Sequence, residues 1–300
     1  MNTGGLPLKP AISIEQQILL LESRGLIIPD HNYAKKILQQ ISYYRFTGYL
    51  LPFKNQQGNY RKHTYFQSIV NIAHFDSALR LHLFKLCEHI EIKMRATLSY
   101  YLAMKHVQNS LFYKEEQNFN FQKISFDSFS QSWQKSLSDS REIFIQHYRS
   151  RYGGQYPIWV AIEVLTFSSL SILYSNLHTQ DQRLIAKEFN LKTNNLLRNW
   201  LHALSVIRNK CAHFGRLYFT LLDKDIARSF NARELHLNAK KLFSLIFSAK
   251  YLVQDLDFWQ QWVDELENLI ITYSSDIDLD VLGFIPDWKH HLMSVPSDIN

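Results

Sequence analysis

Within the ten residues Ile207–Arg216 (IRNKCAHFGR) the chain carries a guanidinium at Arg208, an amide at Asn209, an ammonium at Lys210 and an imidazole at His213, with a second guanidinium at Arg216. That set suits cleavage of RNA without a metal. An imidazole's ordinary pKa of about 6.5 lies near working pH, so such a ring exchanges a proton readily with a ribose 2′-hydroxyl as general base or acid. This role falls to His213. Arg208 would hold the phosphate and stabilise the charge added in the transition state. Asn209 would orient the imidazole or the phosphate, and Lys210 and Arg216 would add phosphate contacts. The products would end in a 2′,3′-cyclic phosphate and a 5′-hydroxyl. On an ideal helix Asn209 and His213 share a face. Arg208 and His213 stand about 140° apart around the axis and about 7.5 Å along it. They meet at one phosphate only through the reach of arginine, or if the helix loosens beside Gly215. The competing reading is a helix end whose cations complement the macrodipole.

With 14 arginines and 13 histidines, an Arg followed by His across four to six residues arises roughly twice by chance. It occurs three times. Arg24…His31 is interrupted by Gly25 and Pro29, and Arg141…His147 lies beside a serine-rich stretch. Only Arg208…His213 falls on a strongly periodic helix with Asn next to the Arg. Other polar groups carry two readings each. Glu91 and Arg95 form an i,i+4 pair, and Glu163 is isolated inside VAIEVL. They either orient the site's arginines or form a structural ion pair between helices. His147, Arg149 and Arg151 interleave with Tyr148 and Tyr152, a mixture that can stack on unpaired bases while holding phosphates. The histidines and cysteines show neither HExxH nor a zinc spacing, so no metal and no cofactor is expected.

The elements that must position these groups are helices. Glycine and proline number nine and seven in 300 residues, well below their usual shares of ~7% and ~5%. Neither occurs between Asn59 and Tyr152 or between Arg216 and Leu282. The spacing predicts a helix over 78–106, with Leu79, Leu83, Leu86, Ile90, Met94, Leu98 and Tyr101 as one stripe. A second helix opens at Pro157 and runs through IWVAIEVLTFSSLSILYSNL, apolar over most of its circumference and therefore central. A third spans 194–213 on Leu197, Leu201, Leu204, Ile207 and Cys211, with Gly215 as a left-handed stop. Two more cover 232–256 and 259–273. The serine-rich stretch 125–140 reads as a loop or a broken helical insertion. The fold class is all-α, a helical bundle.

The chain divides into an N-terminal helical region (1–65), a bundle core (66–250) with a serine-rich insertion near 107–155, and an acidic C-terminal helical segment (251–300). Residues 1–250 hold 32 Lys+Arg and 17 Asp+Glu, whereas residues 251–300 hold one lysine and ten carboxylates. A basic body attracts phosphate backbones, and an acidic final segment can dock on it. No apolar run reaches the ~18 residues needed to span a bilayer, and the first residues lack a signal pattern. Two cysteines 124 positions apart suggest no disulfide framework. A cytoplasmic protein with no membrane contact is the expectation.

Four ordered stretches resemble the Abi-like (abortive infection) family of bacterial phage-defence proteins, which belongs to the HEPN ribonuclease superfamily. They are Ile14 to Phe53, HIEIKMRATLSYYL from His89, YPIWVAIEVLTFSSLSILYSNL from Tyr156, and WLHALSVIRNKCAHFGRLY from Trp200. The last contains the superfamily's Arg-x4-His element, and the closing LGFIPDWKHHL is similar as well. The resemblance implies a HEPN-like bundle with an additional helical N-terminal region. It also implies an endoribonuclease toxin acting in abortive infection, with Arg208, Asn209 and His213 as its catalytic residues. Such elements usually face each other across a dimer, so a homodimer with a composite cleft is implied too. The chain departs from the family pattern at Phe214, where a second histidine is frequent, at Tyr218, where a tryptophan is, and at Phe167-Ser168, where a Phe-Gly pair is. The alternative function is a non-catalytic RNA-binding protein that associates with a structured small RNA. A helical protein-interaction module is the third.

Overall fold

The computed structural model describes residues 10–294. Among them the regular structure is helical: α1 (Ile14–Ser23), α2 (His31–Gln40), α3 (Tyr43–Leu50), α4 (Phe66–Lys105), α5 (Phe126–Asp139), α6 (Ile143–Arg151), α7 (Ile158–Ala161), α8 (Phe167–Ser175), α9 (Thr179–Glu188), α10 (Asn194–Ala212), α11 (Phe230–Glu234), α12 (Leu242–Ala249), α13 (Leu256–Tyr273) and α14 (Trp288–Met293). Pairing between extended segments is limited to two isolated bridges, Ile27 with Tyr65 and Lys54 with Tyr60. The all-α class follows directly.

Two compact units are present. One comprises the described residues through Ala78 with Leu269–Asp278, and the other Leu79–Asn268 with the residues from Leu279. In the first, α3 and the start of α4 share an aromatic core in which Phe46 and Phe66 lie 4.6 Å apart. The buried Tyr49 hydroxyl donates to Asp76 at 2.6 Å, and Asn71 donates to Asp276 at 2.7 Å.

The second unit holds the candidate chemistry. Along α4, Leu79, Leu83, Leu86, Ile90, Met94 and Leu98 are all buried, as the stripe requires. Tyr101 is only partly covered, and its hydroxyl donates to Asp181 at 3.0 Å. Helix α10 buries Leu197, Leu201, Leu204, Ile207 and Cys211 and packs on α8, α9 and α12. All eight residues of α12 are buried, so this helix is central. The acidic segment does pack on basic groups: Lys85 of α4 donates to both oxygens of Glu265, at 2.9 and 2.8 Å. Lys289, the segment's own lysine, pairs with Asp264 at 2.8 Å and Glu267 at 2.6 Å.

Three elements differ from the sequence expectation. The serine-rich stretch is a regular helix, α5, capped by the Ser125 side chain. Phe126, Phe129, Trp133 and Leu137 recur at helical spacing and are buried; each contributes roughly 1.5–3 kcal/mol, which outweighs serine's weak helix preference. The helix expected after Pro157 is broken. Helix α7 ends in a 3-10 turn over Ile162–Val164, Leu165 is extended (φ −73°, ψ 137°), and α8 restarts with the Thr166 hydroxyl accepting from the Ser169 N–H. The helix expected over 232–256 is likewise two helices, α11 and α12, separated where His236 adopts φ 51°.

Candidate active site

Helices α4 and α10 bring four of the predicted residues, Glu91, Arg95, Arg208 and Asn209, together. The Arg208 Nε lies 3.7 Å from Glu91 Oε2, and the guanidinium carbon sits 5.4 Å from the centre of the Phe84 ring. On α4, Phe84, Glu91 and Arg95 fall at i, i+7 and i+11, one face of the helix. Glu91 is shared, since its Oε1 accepts from Arg95 Nη2 at 2.9 Å. Glu91 and Arg95 are 13% and 14% exposed and Arg208 is 32% exposed. Arg208 is therefore held by its inner edge against a carboxylate and an aromatic face. Its Nη1 reaches Asn209 Oδ1 at 3.4 Å, a weak contact.

Arg95 has a different task. Its Nη1 donates to the Ile162 carbonyl at 2.5 Å and its Nη2 to the Leu165 carbonyl at 2.8 Å. These two carbonyls flank the helix break, so the guanidinium satisfies acceptors that a continuous helix would have used itself. Glu163 Oε2 lies 3.8 Å from Arg95 Nε with its side chain 43% exposed. The isolated carboxylate of VAIEVL is thus not buried; the break turns it outward. Asn209 donates to Ser168 Oγ at 3.1 Å, which fixes the amide against the first turn of α8.

His213 closes α10 as its C-cap, and its N–H still donates to the Asn209 carbonyl at 3.0 Å. The helix does not loosen before His213, so the roughly 140° offset from Arg208 persists. The chain leaves the helix through a Schellman-type pair of bonds, Phe214 N–H to the Cys211 carbonyl at 3.2 Å and Gly215 N–H to the Lys210 carbonyl at 2.7 Å. The left-handed residue is Phe214 (φ 58°) and not Gly215. Gly215 is needed for space instead. A Cβ there would stand 2.4 Å from Lys210 Cγ and 3.0 Å from the Lys210 carbonyl oxygen. A bulky residue at positive φ costs about 1–2 kcal/mol. The turn leaves the His213 imidazole and the Phe214 ring exposed side by side, Phe214 at 67%.

The remaining predicted residues separate by environment. Lys210 and Arg216 are partly exposed beside the turn. His147, Arg149 and Arg151 all lie exposed on α6, yet Arg149 is engaged locally. Its Nη2 donates to the carbonyls of Leu137 and Ser138 at 3.0 Å each, capping the end of α5. The His147 ring makes edge contacts with Tyr148 and Tyr152 at 5.7 and 5.8 Å. Cys87 and Cys211 are buried and unbridged. Burial, and then the proximity of Cys211, pushes the Cys87 thiol well above its usual range. Sequence reasoning missed Phe84 and Ser168. The first was legible as the residue two turns before Glu91, but Ser168 was hidden because the break that exposes it was not foreseen.

An all-helical chain whose Arg-x4-His element is braced by a carboxylate from a second helix, with the imidazole exposed at the helix end, defines the class. The Abi-like protein family matches residues 36–219, a span that includes Glu91, Arg95, Glu163, Arg208, Asn209 and His213. The chain belongs to that family of abortive infection proteins. No curated protein and no solved structure matches it. Among the described residues, no helix is long and apolar enough to cross a membrane.

Proposed function

We propose that this chain is a metal-independent endoribonuclease of the HEPN type, acting in the cytoplasm to arrest growth on phage infection. The observation that carries the reading is that one helix bears both a restrained Arg208, held by Glu91 and Phe84, and, at its C-cap, an exposed His213. The ribose 2′-hydroxyl attacks phosphorus, the bond to O5′ breaks, and a cyclic phosphate and a 5′-hydroxyl result. One proton leaves the 2′-hydroxyl and one reaches O5′, so the reaction needs a base and an acid. Each chain brings one imidazole in this setting. The offset between Arg208 and His213 also places them on different sides of α10. A twofold homodimer answers both points, because two helix ends facing each other supply two imidazoles and two guanidinia to one linkage. Arg208 stabilises the phosphorane charge, and Asn209, fixed by Ser168, aligns the helix end.

The test is incubation of purified protein with labelled RNA in EDTA. Wild type cuts, whereas His213→Ala and Arg208→Ala do not, with circular dichroism and oligomeric state unchanged. Binding without cleavage in the wild type, surviving both substitutions, would instead establish an RNA-binding protein that associates with a structured small RNA.

A further inference from the structure

A cavity of about 360 Å³, lined by none of the residues around Arg208, lies within the segment inserted between α4 and α7. Its wall is built from the buried side chains of Tyr113, Trp133, Leu137 and Tyr156. The aromatic part is rigid, with Tyr113 and Trp133 rings 4.7 Å apart. The Tyr113 hydroxyl is tied to the Tyr156 carbonyl at 2.7 Å, and Trp133 Nε1 to the Ala161 carbonyl at 2.7 Å. Ser130, Gln134 and Ser138 follow at i, i+4 and i+8 on α5, so one stripe of that helix lines the cavity with neutral hydrogen-bonding groups. Among the described residues, the charged groups lining the cavity are Lys114 and Arg149, with no carboxylate beside them. The Lys114 ammonium makes no ion pair among the described residues. Arg149 spends Nη2 on the end of α5, which fixes the guanidinium while its Nη1 and Nε hydrogens remain.

We propose that this cavity is a binding site for a single nucleoside monophosphate unit, either a free nucleotide or one residue of an RNA strand. The lining supports that class. Two cations without a carboxylate select an anion and match a phosphate. Neutral serine and glutamine groups over an aromatic wall match the polar edge and apolar faces of a base. The volume sits at the low end of the roughly 300–1,000 Å³ of ligand pockets, room for one nucleotide and not for a strand. The inference stands on this cavity alone and does not require that the chain cut RNA.

Calorimetric titration of His213→Ala protein, which keeps any RNA intact, tests it with the four nucleoside monophosphates, the matched nucleosides, inorganic phosphate and a short 5′-phosphorylated RNA. The expected result is saturable binding of at least one nucleotide, tighter than its nucleoside and than phosphate. Lys114→Glu weakens it at least roughly tenfold, and Ser130→Trp, which fills the cavity, abolishes it. Both changed positions lie outside the fully buried core, and circular dichroism verifies the fold. Binding of the monophosphates that competes with the short RNA identifies a free nucleotide as sufficient. Binding of the short RNA alone, with the same response to both substitutions, identifies a strand residue. The proposal is overturned if nothing binds at millimolar concentration, if neither substitution matters, or if phosphate binds as tightly as the nucleotide.

Discussion

Replacing Arg95 by alanine removes three hydrogen bonds at once, to the carbonyls of Ile162 and Leu165 and to Glu91. A hydrogen bond to a charged group contributes roughly 1.5–3 kcal/mol. The pair with Glu163, at 3.8 Å and partly exposed, adds little. The three bonds share one side chain and are not additive, and a carboxylate left without its partner carries its own penalty. The expected loss is therefore about 3–5 kcal/mol. For a unit of this size each kcal/mol lowers the melting temperature by about 2–4 °C, so the transition of the Leu79–Asn268 unit falls by about 6–20 °C. Arg95→Lys recovers less than half, because a single ammonium nitrogen cannot reach acceptors that Arg95 serves from two separate nitrogens, Nη1 and Nη2. Scanning calorimetry is the assay, since two compact units need not melt together. A midpoint for Arg95→Ala within about 2 °C of wild type would refute the view that this side chain closes the helix break.

Three further outcomes follow from the same packing. Gly215→Ala forces a Cβ to 2.4 Å from Lys210 Cγ and 3.0 Å from the Lys210 carbonyl oxygen; relieving that overlap costs about 1–3 kcal/mol and displaces His213, so a melt and an RNA cleavage assay should both fall, and wild-type values in both would contradict the close packing of Gly215 on Lys210. Cys87 and Cys211 are buried and burial raises the Cys87 thiol, so a thiol reagent should react slowly with native protein and with two equivalents after denaturation; fast native reaction would show that α4 and α10 are not packed there. Burial lowers His82 below 6.5 despite Trp262 and Glu265, and the Lys85 hydrogen bond lowers Glu265 below 4.5. The unfolded chain then binds protons first at both sites, so stability falls as pH drops below about 6.5 and again through the acid range where Glu265 protonates. Denaturant titrations from pH 7.5 to about 3 check both parts, and His82→Gln should flatten the slope just below pH 6.5.

How far the molecule was legible depended on what marked each boundary. Helices α4 and α10 were readable because their apolar spacing is long and uninterrupted, and every side chain it named except the partly covered Tyr101 is buried. The break at Leu165 was not readable from glycine or proline. Its signal was Thr166 three residues before Ser169, an N-cap pattern inside a run that hydropathy alone reads as continuous. Similarly, His236 and Phe214 take positive φ where glycine would ordinarily announce the turn. Serine abundance disguised α5, whose four buried apolar residues were the better guide. At the site, Glu91 and Arg95 were visible as an i,i+4 pair, and the structure adds Arg208 to that pair across two helices. What local spacing could not reveal was the division of labour: Arg95 serves the backbone of the break, and Glu91 is the group that reaches Arg208.

The measurement that bears most directly on the nuclease proposal is the mass of the 3′ ends produced when purified protein acts on a defined RNA in EDTA. The account predicts 2′,3′-cyclic phosphate ends paired with 5′-hydroxyls, at linkages that become resistant when the adjoining ribose is 2′-deoxy. Cleavage that leaves 3′-hydroxyls, or that proceeds at the 2′-deoxy position, would contradict it, as would activity that persists in both His213→Ala and Arg208→Ala.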